Sequence, residues 1–187
     1  MPTEDLQLEP FSRSHFDTVA GWFADARGAA LWGGTQLPYP FSFEQLCEGS
    51  AEMLGSKPAL ACFSAKTGDR LAGHGQIAFD RLNGVGRLCR IALAPALRGR
   101  GLSRPMLGLL VDEAFKEPDI MRVELNVYDL NASAIRAYKA LGFVEEGVRR
   151  SSARFGEERW NTVMMGLLRA EWRKSRQDSA GNAAQKG

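Results

Sequence analysis

The sequence predicts an α/β (α+β) fold in which one mixed, mostly antiparallel sheet of about seven strands carries helices on both faces. Apolar residues recur with periods that alternate between 2 and 3.6, in the order βααβββαβαββ. Two short turns, Thr67-Gly68-Asp69 and Asn83-Gly84, are typical of connections between antiparallel strands. With 187 residues, 44% of them hydrophobic, the chain can bury one good core. We expect a single domain over residues 1–170.

The first half of this order begins with a strand at residues 6–11 and a helix at 13–26. A second helix is predicted at 43–54, because Ser42 is a candidate N-cap before an apolar repeat. Between the helices, residues 28–41 are rich in glycine, proline and aromatics and are expected to form a loop. Three strands follow, and the period of 2 places them at residues 59–65, 70–80 and 87–94.

The second half begins with a helix at residues 102–115, where Pro105 is tolerated because it lies in the first turn. A strand is predicted at 122–128, a helix at 131–141, and a final pair of strands at 143–150 and 159–168. Beyond residue 175 no apolar residue larger than alanine occurs. We therefore expect the single domain to end near residue 170 and a disordered tail to follow over residues 171–187.

Composition narrows the class of function. The formal net charge is only +2, which gives no reason to expect nucleic acid as a partner. The cysteines Cys47, Cys62 and Cys89 lack C-x-x-C spacing, which favours reduced thiols in a cytoplasmic protein and no structural metal. No run approaches the roughly 18 apolar residues of a membrane span, and residues 1–10 do not resemble a signal peptide. We expect no membrane partner, and either a monomer or a homodimer.

The most informative segment is residues 91–104, in which an apolar strand enters a basic, glycine-punctuated turn and then a helix. Gly99 and Gly101 allow the main chain to approach a ligand closely, and the first amides of a helix point toward an anion there. Residues 81–111 contain six arginines and no Asp or Glu. This field favours a polyanionic small molecule. The alternative is a plain tight connection between strand and helix.

A second motif lies about 30 residues further along, in the segment Asn131-Ala-Ser-Ala-Ile-Arg-Ala-Tyr138-Lys-Ala-Leu-Gly-Phe143. Asn131 and Tyr138 are seven residues apart, which is almost two turns of helix and places both on one face. They can therefore contact one extended ligand. Alternatively, Asn131 only caps its helix and Tyr138 packs in the core.

Together with the element order and the Arg98-x-x-Gly101 turn, this segment resembles the GNAT superfamily of acyl-CoA-dependent N-acyltransferases, over roughly residues 4–168. The resemblance implies acetyl-CoA as co-substrate and no metal. It assigns the diphosphate and its surroundings to the turn residues Arg98, Gly99, Arg100, Gly101, Leu102, Ser103 and Arg104. It assigns pantetheine to Ile91, Ala92, Leu93 and Asn131. Relatives usually have Gly or Ala at the position of Ser103, which can cap the helix and donate to a phosphate oxygen.

The same resemblance gives Tyr138 the role of proton donor to the departing thiolate. The general base is less evident. Alternation places Glu124, Asn126 and Tyr128 on one face of their strand, and relatives often carry glutamate where Asn126 stands. Either Glu124 acts through a water, or the amine arrives neutral and no base is needed.

Fewer sequence features indicate which residues contact the acceptor amine. Relatives often carry an acidic residue near Arg90, so Arg90 either pairs with Glu124 or recognises a carboxylate on the substrate. His74 is a candidate base or relay, or is simply hydrogen-bonded. Trp32 and Tyr39 form a wall for the acceptor or pack their loop. In the last hairpin, acidic residues such as Glu158 either favour a cationic amine or lie in a solvated turn.

The resulting hypothesis is an N-acetyltransferase that moves an acetyl group from acetyl-CoA to a primary amine of a small molecule or peptide, by direct attack in a ternary complex. The alternative is a non-catalytic acyl-CoA-binding module of the same fold. A P-loop nucleotide-binding protein is disfavoured because no G-K-[ST] follows the glycines. RNA binding is disfavoured because the arginines gather at one turn instead of alternating with aromatics along a strand.

Overall fold

The fold is built around one seven-stranded sheet, seen in a computed structural model that describes residues 6–48, 53–54 and 57–184. The strand order is β1-β4-β5-β6-β7-β9-β8. The seven strands are β1 (Leu6–Pro10), β4 (Leu60–Thr67), β5 (Arg70–Asp80), β6 (Val85–Leu93), β7 (Arg122–Tyr128), β8 (Val144–Phe155) and β9 (Glu158–Leu168). A separate short hairpin joins β2 (Met53–Leu54) to β3 (Lys57–Pro58).

Strand direction matches the predicted class. Within the described strands, β6 and β7 form the parallel pair and every other neighbouring pair is antiparallel. The prediction of a mixed, mostly antiparallel sheet of about seven strands is confirmed. The connection from β6 to β7 runs through a helix, as a parallel crossover requires.

Within the described residues six α-helices flank the sheet, and they are α1 (Arg13–Ala20), α2 (Ala26–Gly33), α3 (Phe43–Leu46), α4 (Ser103–Phe115), α5 (Ala132–Leu141) and α6 (Arg169–Ala184). Side-chain direction on β5 separates the two faces. Gly73 and Gly75 lie beneath Met106 and Leu110 of α4. The residue between them, His74, points to the opposite face, where its ring meets Phe11. Helices therefore cover both faces, and the larger core lies on the α4 side.

The first helical region differs from the prediction of one helix at 13–26. The helix α1 ends at Ala20, and a second helix α2 begins at Ala26 and continues to Gly33, into the segment expected to be a loop. Asp25 explains the restart, because its carboxylate accepts a hydrogen bond from the amide of Gly28 at 2.7 Å and so caps α2.

The helix predicted at 43–54 is also shorter. Ser42 does cap it, with a capping box to Gln45, but α3 ends at Leu46. There the carbonyl of Leu46 accepts hydrogen bonds from Gln76 and Arg90, so tertiary contacts replace the next helical turn. Residues 49–52 of the predicted helix lie outside the described residues.

The expected disordered tail over 171–187 is wrong in its starting point, because α6 extends from Arg169 to Ala184. Trp172 is buried against the α4 side, and its indole donates to Asp112 at 2.7 Å. A single aromatic in a polar segment has too weak a periodicity to predict this docking. Residues 185–187 lie outside the described part of the chain. No helix among the described residues is long and apolar enough to cross a membrane.

Candidate active site

A cleft opens in the middle of the sheet where β6 and β7 separate. Their parallel ladder pairs Val85 to Leu88 with Arg122 to Leu125 and ends there. Just beyond this point β6 carries a bulge, at which Arg90 has a positive φ of 48°. The separated strands line a cleft of about 1030 Å³ with residues 89–93 on one side and 126–128 on the other. This volume is at the upper end of the ~300–1,000 Å³ typical of ligand sites.

One end of the cleft is formed by the glycine-rich turn before α4. Gly99 and Gly101 have φ of +75° and +80°, and a Cβ on either would meet no atom within 4 Å. The amides of residues 99–104 donate no hydrogen bond within the described part of the chain. Glycine is therefore needed at positions 99 and 101 because of the positive φ. The space next to the unpaired backbone amides of this turn is open. These donors fit a diphosphate.

The arginines around this turn differ in how far they are neutralised. Of the six in residues 81–111, Arg81 pairs with Glu117 and Arg87 with Glu124. Arg100 and Arg104 have no carboxylate partner among the described residues. Arg98 lies along the cleft and donates to the carbonyl of Leu93 at 3.2 Å. The positive field therefore remains concentrated at the turn.

Two turn residues differ from their predicted roles. Ser103 does not cap α4, because the N-cap is Leu102 and Ser103 is the first helical residue. Ser103 instead lines the cleft. Leu102 is 5% exposed and packs in the core, so only its backbone is available to a ligand.

The β6 side of the cleft presents a free strand edge. Ala92 and Leu93 pair with His74 and Gly73 of β5 on one side. The opposite edge of residues 91–93 faces the gap left by β7. Such an edge can pair with an extended ligand that carries amide groups.

The structure brings Asn131 and Tyr138 together on the cleft wall, as their spacing predicts. Asn131 caps α5, since its Oδ1 accepts from the amide of Ala134 at 3.2 Å and from the hydroxyl of Ser133 at 3.0 Å. Its Nδ2 group has no partner among the described residues. Capping and ligand contact are therefore compatible at Asn131.

Tyr138 lines the cleft from α5. Its ring lies 6.0 Å from that of Phe143, and its hydroxyl makes no hydrogen bond within the described residues. Burial raises the pKa of Tyr138 to about 12. The phenol therefore keeps its proton at neutral pH and has it available for a ligand.

Glu124 does not lie in the cleft. Its carboxylate accepts from Arg87 at 2.6 Å and from Arg122 at 3.0 Å. Burial tends to raise the pKa of Glu124, but these two guanidinium partners hold it below its usual value. The predicted ion pair between Arg90 and Glu124 is wrong, because the register places Arg87 opposite Glu124.

Arg90 instead lies on the cleft floor beside Gln76. One terminal nitrogen, Nη1, donates to the carbonyl of Leu46 at 2.6 Å and to Oε1 of Gln76 at 3.3 Å. Asn126 also lines the cleft, from β7, and is exposed. These side chains can orient a substrate, but none of them accepts a proton readily.

Of the other residues predicted to contact the acceptor amine, Trp32 lines the cleft, whereas Tyr39 and His74 do not. Trp32 lines the cleft and stacks on Phe23 with ring centroids 4.3 Å apart. Tyr39 lies outside the lining and donates to the carbonyl of Phe23 at 3.1 Å. His74 is fully buried outside the cleft, and neither ring nitrogen has a partner among the described residues. Burial lowers the pKa of His74 to about 3, which makes it a poor base.

Several cleft residues had no sequence signal of their own, and they include Asp25, Glu48, Arg149 and Thr162. Thr162 lies opposite Tyr128, and Arg149 lies opposite Thr162. The alternation of side chains along a strand could identify Thr162 and Arg149 as cleft residues only if the pairing of β7, β9 and β8 were already known. Glu158, proposed for a cationic amine, is occupied by Arg27 and by the indole of Trp160. No three His, Cys, Asp or Glu side chains of the described residues are grouped to hold a metal ion.

The sequence profile of the acetyltransferase (GNAT) family matches residues 21–143, which include both the turn and the segment from Asn131 to Phe143. The chain belongs to the GNAT family. The resemblance stated from the motifs is therefore confirmed, and the cleft between β6 and β7 is the candidate active site of a GNAT protein.

Individual relatives are more distant. The chain is 32% identical over 101 residues to a [ribosomal protein bS18]-alanine N-acetyltransferase of Salmonella typhimurium, which covers 53% of this chain and 65% of that protein. The Escherichia coli K12 protein of the same name is 35% identical over 80 residues, 43% of this chain and 53% of that one. The matched region thus spans about half to two thirds of these relatives.

Solved structures share the fold. The spermidine N-acetyltransferase from Vibrio cholerae, in complex with CoA and spermine, superposes with a TM-score of 0.75 at 20% identity. The superposition covers 90% of this GNAT chain and 98% of that one. At this identity the likeness establishes the common architecture.

Proposed function

We propose that this GNAT protein is an N-acetyltransferase that moves an acetyl group from acetyl-CoA to a primary amine of a small molecule or peptide, by direct attack in a ternary complex. The observation that supports it best is the unpaired hydroxyl of Tyr138, which lines the same cleft as the free edge of β6 and the open turn at Gly99. The relatives named above act, by their names, on alanine and spermidine amines.

In this proposal the turn and the strand edge hold the co-substrate. The amides of residues 99–104, with Arg98, bind the diphosphate, and the free edge of residues 91–93 pairs with pantetheine. The Nδ2 group of Asn131 donates to the same arm. Acetyl-CoA supplies an acetyl group already activated as a thioester.

Tyr138 then provides the proton for the leaving sulfur. As the amine nitrogen forms its bond to the acetyl carbon, the carbon–sulfur bond breaks and the thiolate takes the phenolic proton. A pKa of about 12 keeps that proton on Tyr138 until it is needed. Because Glu124 is held between two arginines, we propose that the amine enters the cleft uncharged. After the attack its nitrogen releases one proton to solvent, and the Tyr138 phenolate takes one proton back from solvent.

The experiment combines turnover with binding. Acetyl-CoA and a panel of primary amines are incubated with the protein, and acetylated product and CoA are measured by mass spectrometry. Tyr138→Phe should lower kcat by about 100-fold, in the range for a lost general acid, with unchanged CoA affinity. Tyr39→Phe is the matched control, since Tyr39 lies outside the cleft, and should retain kcat. Tight CoA binding without turnover of any amine would favour the acyl-CoA-binding module instead.

A further inference from the structure

Two arginines outside the glycine-rich turn line the cleft, and one of them, Arg149, lies on its β8 side, at the edge of the sheet. Arg149 of β8 lies opposite Thr162 of β9, which in turn lies opposite Tyr128 of β7. Residues directly opposite each other on neighbouring strands point to the same face. Tyr128, Thr162 and Arg149 therefore form one row across three strands, and all three line the cleft. Arg90 approaches from the floor on the β6 side.

Arg149 has no hydrogen-bond or carboxylate partner in the described part of the chain. Of the other arginines of this hairpin, Arg154 pairs with Glu157 and Arg159 donates to the hydroxyl of Ser151. Arg150 is also without a partner among the described residues, but it does not line the cleft. Arg90 donates through Nη1, and its other guanidinium nitrogens have no partner among the described residues. Several guanidinium N–H groups of Arg149 and Arg90 are thus free to bind an anion.

Of the carboxylates in or beside the cleft, two are engaged and one, Glu48, has no partner among the described residues. Asp25 lines the cleft, but its Oδ1 is occupied in capping α2. Glu158 is neutralised by Arg27. Glu48 also lines the cleft and is exposed. A polycationic acceptor would have to place an ammonium group close to Arg149 and Arg90, at a Coulombic cost.

We propose that the acceptor amine carries a carboxylate, and that Arg149 is the residue that selects it. This inference rests on the proposed acetyl transfer and defines its substrate class. Arg149 binds the carboxylate through paired N–H groups, while the hydroxyl row of Tyr128 and Thr162 leads from it toward the separated ends of β6 and β7. Arg90 adds positive potential from the floor. The site therefore discriminates by charge between acidic and cationic amines.

The test compares acceptors that differ only in charge. One series contains ω-amino carboxylates of two to five methylenes, their carboxamides, and diamines of matched length. A second contains alanyl peptide amides with Asp, Asn or Lys as the second residue. The expected order of kcat/KM in at least one series is carboxylate, then carboxamide, then ammonium, with at least a tenfold gap between the first two.

Arg149→Gln should bring the ratio of carboxylate to carboxamide close to one, chiefly by raising KM for the carboxylate. Arg150→Gln is the control, because consecutive strand residues point to opposite faces and Arg150 does not line the cleft; it should keep the ratio. Turnover without preference for a carboxylate, or a preference that survives Arg149→Gln, overturns this inference while acetyl transfer stands. Absence of turnover with every amine overturns both.

Discussion

Arg87 donates two hydrogen bonds to Oε1 of Glu124, from Nε at 2.9 Å and from Nη2 at 2.6 Å, across the parallel pair β6 and β7. The two residues are directly opposite in the ladder. Arg122 binds the second carboxylate oxygen at 3.0 Å. This cluster stabilises the paired half of the two strands just before they separate. Glu124 therefore stabilises the strands next to the cleft and does not line the cleft itself.

Replacing Glu124 by Gln should affect stability more than chemistry. The change leaves Arg87 and Arg122 without their shared anion, at a cost of ~1 kcal/mol for a partly exposed pair. We expect kcat to stay within threefold. Urea unfolding and steady-state turnover measure the two effects. Glu146→Gln, which removes the other partner of Arg122, is the matched control. A loss of more than 100-fold in kcat at unchanged stability would identify Glu124 as a base.

His74 should make stability depend on pH. Its imidazole stays neutral in the folded protein down to about pH 3, whereas the unfolded chain takes up this proton below about pH 6.5. The unfolded state therefore binds more protons in this window, and the free energy of unfolding falls as the pH drops through it, by at most ~1.4 kcal/mol per pH unit.

His74→Leu removes this titration and two unpaired nitrogen atoms. We expect the variant to be at least as stable as the natural protein at pH 7, with a shallower loss of stability between pH 6.5 and 4. Urea unfolding at several pH values measures the difference. His15 is present in both proteins, so its contribution cancels. If the free energy of unfolding fell with pH by the same amount in both proteins, His74 would not be buried in its neutral form.

The pH dependence of kcat/KM should follow the acceptor. If the amine must arrive uncharged, log kcat/KM rises with unit slope up to the amine pKa, which is about 8 for an α-amino group and about 10.4 for an alkylamine. Because the pKa of Tyr138 is about 12, no falling limb is expected up to pH 10. The measurement uses two acceptors of different pKa. An inflection at the same pH for both would instead reveal a base on the enzyme.

Local signals sufficed for much of this fold and site. The strand β7 has exactly the predicted bounds because Val123, Leu125 and Val127 alternate strictly and all are buried. Asn131 caps its helix and shares one wall with Tyr138 because seven residues of helix fix that geometry. The glycines at 99 and 101 adopt the positive φ that favours glycine. Each of these features depends on residues close together in sequence.

The failures involve contacts between distant parts of the chain. The bulge at Arg90 depends on how β6 pairs with β5, and the comparison with relatives that suggested a pair between Arg90 and Glu124 contains no information on this register. The end of α3 depends on Gln76 and Arg90 binding the carbonyl of Leu46. Arg149 enters the cleft only through a register that runs across β7, β9 and β8. Such contacts between distant residues cannot be predicted from a periodic pattern in the local sequence.

We expect the free amides of the turn before α4 to bind the diphosphate of a coenzyme, and a substitution at Gly101 tests this binding. Gly101 and Gly68 both have positive φ, +80° and +56°, with no atom within 4 Å of an added Cβ. Gly68 lies in the turn between β4 and β5, whereas Gly101 lies between Gly99 and Ser103, which both line the cleft. Alanine at either should cost ~1 kcal/mol of stability through backbone strain.

The most direct measurement is calorimetric titration of CoA into the natural protein, Gly101→Ala and Gly68→Ala under identical conditions. Added bulk and altered backbone at the turn should weaken CoA binding at least tenfold in Gly101→Ala, while Gly68→Ala binds as the natural protein does. Equal affinity in all three proteins, or no binding heat in any of them, would contradict the assignment of the turn.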